Sequence, residues 1–79
     1  MNEEFEYSNV TFADYFAKLI RDKDLNISEI VKESKIERTY CYHIIDGRKQ
    51  PGRDKVIALC IAAQLNIEET QRCLTLAKH

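Results

Sequence analysis

Residues Asn26 to Pro51 read NISEIVKESKIERTYCYHIIDGRKQP, and this stretch decides the fold. Asn26 with Glu29 three positions later is a helix-start signal. The side chain at the first position accepts from backbone N–H groups that have no partner inside the helix. Ile27, Ile30 and Val31 then line one face of a short helix running to about Ser34. Lys35-Ile36 leaves room only for a tight turn. A second helix is expected from about Arg38 to Ile45, with Glu37 as its cap and Cys41, Ile44 and Ile45 directed inward. Asp46-Gly47 ends it, because glycine takes up the left-handed conformation that commonly follows a helix. Arg48-Lys49-Gln50-Pro51-Gly52 is a basic loop in which Pro51 prevents the helix from continuing.

The flanks repeat the same grammar. Thr11 with Asp14 opens a helix in which Phe12, Tyr15, Phe16, Leu19 and Ile20 recur at helical spacing through about Lys23. From about Arg53 to Gln64 the chain is apolar on several sides, with Val56, Ile57, Leu59, Cys60, Ile61 and Ala63, as suits a helix packed in the centre. Asn66 with Glu69 opens a last helix, about Ile67 to Ala77, that presents Ile67, Cys73, Leu74 and Ala77. The fold class is therefore all-α: a compact five-helix bundle over residues 11–79, preceded by a flexible acidic arm over residues 1–10.

Composition agrees. Seventy-nine residues hold one small domain, and two glycines and one proline are too few for the turns of a small all-β fold. No apolar run approaches the ~18 residues of a membrane span. The acidic start (Glu3, Glu4, Glu6) is unlike a secretory signal. Cys41, Cys60 and Cys73 form no closely spaced pair that would hold zinc, and each falls on an apolar helix face. They read as buried reduced thiols, which fits a cytoplasmic location. No metal and no cofactor is expected. With no Gly-rich phosphate loop, no clustered acid–base pair and no nucleophile–base spacing, the chain is not expected to be an enzyme.

The net charge of −1 hides a division. Residues 1–34 carry four basic and eight acidic side chains. Residues 35–55 carry six basic side chains (Lys35, Arg38, Arg48, Lys49, Arg53, Lys55) against Glu37, Asp46 and Asp54. A polyanion responds to the field within about one Debye length rather than to the total. The second motif helix and the loop after it are thus the candidate anion-binding face.

In its pattern of helix, tight turn, helix closed by glycine, basic loop with proline and apolar helix, the chain resembles the Cro/C1-type, or XRE-family, helix-turn-helix domains. The resemblance spans about residues 11–78 and implies a lambda-repressor-like bundle. It departs at two places: the turn carries Lys35 where the family usually has glycine, and Val31 stands where it usually has alanine. If the turn needs a positive φ, lysine there costs roughly 1 kcal/mol.

The resemblance implies a transcriptional regulator that binds specific sequences in double-stranded DNA. A helix of about 10–12 Å fits a major groove of about 12 Å. With Cys41, Ile44 and Ile45 inward, the outward residues are Arg38, Thr39, Tyr42 and His43, the candidate base contacts. Arg38 can grip guanine through two hydrogen bonds. Ser28 beside the start of its helix, with Arg48, Lys49 and Arg53 around the start of the helix after the basic loop, are the candidate phosphate contacts. The family usually works as a two-fold homodimer, and the last helix with the chain end is the candidate surface for it. The competing reading is a protein–protein interaction module that keeps the fold without DNA binding, motivated by the net charge, by Lys35 and Val31, and by the tyrosines at 40 and 42.

Overall fold

Each of the five expected helices is present in a computed structural model that describes residues 10–79. They are α1 (Phe12–Asp22), α2 (Ile27–Ser34), α3 (Arg38–Ile45), α4 (Arg53–Ala62) and α5 (Ile67–Leu76), with no strand among the described residues. The acidic arm over residues 1–10 lies, Val10 apart, outside the described residues.

The caps explain the boundaries. Thr11 and Asp14 exchange both hydrogen bonds of a capping box at α1, and Asn66 and Glu69 do the same at α5. At α2 only the forward half forms, with the Glu29 N–H donating to Asn26 Oδ1 at 3.0 Å. Glu69 Oε1 also accepts from Lys23 Nζ at 2.7 Å, which ties the end of α1 to the start of α5. That bond, followed by the one from the Asn66 N–H, holds the Glu69 carboxyl below its ordinary range.

Every connection between helices passes through one left-handed residue: Asp24 after α1, Lys35 after α2, Gly47 after α3 and Gln64 after α4. Glycine fills only one of the four, which is how a helical bundle is built with so few glycines. The φ of 63° at Lys35 makes good the expectation for the turn. For an L-residue that conformation costs roughly 1–2 kcal/mol.

The helices touch in a closed cycle: α1 meets α3 and α5, α2 meets α3 and α4, and α4 meets α5. Phe16, Ile44, Val56, Leu59 and the three cysteines fill the interior without solvent contact, and Phe12 stacks on Phe16 at 5.4 Å. All three thiols are free. The hydrogen bond between the Cys60 and Cys73 thiols, together with burial, pushes the Cys73 thiol well up, and burial pushes Cys41 up. Among the described residues no helix is long and apolar enough to cross a membrane.

Three inward assignments need correction: Ile61 is 71% exposed, Ile67 76% and Ile27 37%, while Ile45 is half-buried and packs against the core as expected. In α4 the buried residues Val56, Leu59, Cys60 and Ala63 make one stripe, and Ile61 sits about 100° past Cys60, off that stripe. Ile67 is the first residue of α5 and stands before that helix has docked. At the chain end, Ala77 is buried and Leu74 and Leu76 pack against the core, which leaves Ile67 as the exposed large apolar residue of the last helix.

Candidate nucleic-acid interface

The turn that sets α3 against α2 is built on Ser34, the only buried polar side chain among the described residues. Its Oγ donates to the Val31 carbonyl at 2.8 Å and accepts from the Ile36 N–H at 3.2 Å. The same oxygen lies 3.8 Å from Cys41 Sγ, at the inner face of α3. One hydroxyl therefore closes α2, starts the turn and touches the next helix. This network holds Lys35 in its left-handed conformation. Val31 is accommodated in the core beside it.

α3 begins at Glu37, whose carboxylate accepts from the Tyr40 N–H at 2.9 Å and the Thr39 N–H at 3.1 Å. These two backbone bonds, the Tyr40 bond foremost, hold its carboxyl below the ordinary range. Glutamate is a weak N-cap by preference, yet here it satisfies two orphan donors. The start of α3 is in consequence occupied by a carboxylate rather than open to a phosphate.

Packing on α1 and α2 leaves the other side of α3 to solvent. Arg38 and Thr39 are exposed, and Tyr42 and His43 are half-buried. The Arg38 guanidinium lies over the Tyr42 ring, 5.8 Å from its centroid, which pre-orients it. Between α2 and α3 runs a groove of about 340 Å³. Val31 and Ile36 form its apolar part; Ser28, Lys32, Lys35, Arg38 and Tyr42 complete the lining. Three of these are cations and none is an anion.

The groove thus joins Ser28, Arg38 and Tyr42 and adds Lys32 and Lys35, which the sequence reading of contacts missed. A signal for them existed. Ser28, Lys32 and Lys35 are spaced four and three apart, one stripe of a helix. Glu29 and Glu33 make the neighbouring stripe, so α2 carries its cations on the α3 side and its anions on the α4 side. At the start of α2, Asn26 Oδ1 takes the Glu29 N–H, and the N–H groups of Ile27 and Ser28 have no intrahelical acceptor.

The loop after α3 folds back on it. The N–H groups of Arg48 and Lys49 both donate to the His43 carbonyl, at 2.8 and 3.1 Å. Arg48 Nε also pairs with Asp46 Oδ2 at 3.3 Å, so its charge is partly neutralised within the loop. Lys49 is exposed. Arg53 is exposed at the start of α4 and makes no hydrogen bond or ion pair with the other seven candidate contacts. The far side of the loop is fastened to the chain end: Gln50 Nε2 donates to the Ala77 carbonyl at 3.0 Å, and His79 Nε2 donates to the Pro51 carbonyl at 3.1 Å. Among the described residues no cluster of His, Cys, Asp or Glu is placed to hold a metal ion.

Compared with known proteins, the chain matches no family model, no curated protein and no solved structure.

Proposed function

We propose that the chain is a transcriptional regulator that binds double-stranded DNA in a sequence-dependent way, with α3 in the major groove. One observation carries the reading. A groove lined by Lys32, Lys35 and Arg38 and by no carboxylate adjoins the solvent-facing side of a short, rigidly held helix. Arg38 and Thr39 read base edges. His43, one turn from Thr39, reaches a base or a phosphate, and Tyr42 supports Arg38. Ser28, Lys32 and Lys35 hold the backbone on one side of the groove, with Lys49 and Arg53 on the other. Arg48 contributes less than its charge implies, because Asp46 competes for it.

One module of this size reads few base pairs, so the working form is a two-fold dimer on half-sites about 34–36 Å apart. Three free thiols suit the reducing compartment in which such a protein works, the cytoplasm.

The test is titration of duplexes, random and selected from a random pool, at 50 and 200 mM salt. With about three to five phosphate contacts per subunit, affinity falls roughly 40- to 500-fold between the two for a single subunit and roughly 10³- to 10⁵-fold for the dimer. A salt-insensitive interaction, or equal affinity for both pools, rules out the proposed mode.

A further inference from the structure

We propose that the groove between α2 and α4 is a docking site for a basic amphipathic segment of a partner protein. The groove holds about 510 Å³ and lies on the flank of α2 away from the cationic one. Leu25, Ile30 and Ile61 supply its apolar surface, and Glu29 and Glu33 stand along one side of it. Ile61 is 71% exposed, although an isoleucine on a polar surface gains by being covered. Glu29 and Glu33 are one helical turn apart, have no ion-pair partner among the described residues, and no lysine or arginine lines the groove.

Charge selects the occupant. A second copy of this chain docked face to face would set these carboxylates against their own counterparts, because a two-fold contact matches a patch with itself. The chain's own N-terminal stretch carries Glu3, Glu4 and Glu6 and meets the same repulsion. A segment that places one or two large aliphatic side chains on Ile61 and Leu25, with lysine or arginine one turn away, satisfies both halves of the groove. A ligand on the cationic flank of α2 leaves this flank open. The proposal does not depend on DNA binding, and its test uses none.

The test is a titration of the ¹⁵N-labelled full chain with three synthetic peptides of about eighteen residues, long enough to form several helical turns. One is an amphipathic leucine–lysine helix, one has glutamate in place of lysine, and one is a lysine–serine peptide. The expected result is a saturable shift of backbone amides over residues 25–33 and 58–64 with the leucine–lysine helix alone. The double variant Glu29→Gln/Glu33→Gln, and separately Ile61→Ser, weaken it roughly five- to tenfold. All three positions reach solvent, so circular dichroism should be unchanged in both variants. Equal binding of the lysine–serine peptide, shifts centred on another surface, or no saturable shift with the leucine–lysine helix would overturn the proposal. So would self-association of the chain that Ile61→Ser abolishes.

Discussion

Replacing Lys35 separates two roles that one residue combines. Its backbone sits at φ 63°, ψ 12°, and its side chain lines the cationic groove. The left-handed conformation costs an L-residue roughly 1–2 kcal/mol. Glycine removes that strain but adds roughly 0.4–1 kcal/mol of unfolded-state entropy. Lys35→Gly should therefore stabilise the fold by about 0.5–1 kcal/mol, a rise of roughly 2–8 °C in melting temperature for a domain of this size. Lys35→Ala keeps the Cβ and the strain, so its stability should stay close to that of the parent. Both variants lose one ammonium group per subunit, and both should reduce the slope of log affinity against log salt by about one per subunit bound. Thermal melts by circular dichroism and anisotropy titrations at several salt concentrations read the two effects apart. If Lys35→Gly melts below the parent, or Lys35→Ala gains as much as Lys35→Gly, strain at this turn is not what limits stability. If stability rises and the salt slope stays put, the turn argument survives and the groove does not contact phosphate.

Ser34→Ala removes the buried hydroxyl that the Ile36 N–H donates to, and should cost about 1–3 kcal/mol by chemical denaturation. Ser34→Thr, which keeps the oxygen, should recover part of that loss unless its methyl crowds the core. Arg38→Ala should relax preference at one base position by about 1–3 kcal/mol, whereas Lys49→Ala should weaken all duplexes alike; a binding selection on each variant distinguishes these. The Glu37 carboxyl is held low by the Tyr40 and Thr39 N–H groups. Its contribution to stability is therefore complete above the unfolded value of about 4.3 and fades as pH falls through the lower folded value. The gap in melting temperature between the parent and Glu37→Gln should be present at neutral pH and close in acid; a gap independent of pH would mean the cap does not depend on charge.

Legibility in the sequence followed the range of the interactions. Caps are local, so Thr11, Asn26, Glu37 and Asn66 marked four helix starts directly. The inward faces of α1 and α3 were legible because their apolar residues form single stripes. α4 was harder. Its apolar residues surround most of the helix, and only the positions of α2 and α5 decide that Leu59 is buried and Ile61 is not. Ser34 was silent because a serine near a helix end reads as solvated, and its three partners come from both sides of the turn. The cationic groove was half legible. Arg38 stood out on a helix expected to face outward, but Lys32 and Lys35 acquire meaning only when the turn swings α3 alongside α2. Arg48 shows the opposite error, since counting charges misses the carboxylate of Asp46 beside it.

The central claim, that α3 and the adjoining flank of α2 meet a duplex, is tested most directly by mapping amide shifts on the labelled chain as a selected duplex is added at low salt. The largest shifts are expected at Ser28, Lys32, Lys35, Arg38, Thr39 and His43, fading as salt is raised. Unchanged spectra at micromolar protein near 50 mM salt, or shifts gathered on α5, would contradict it.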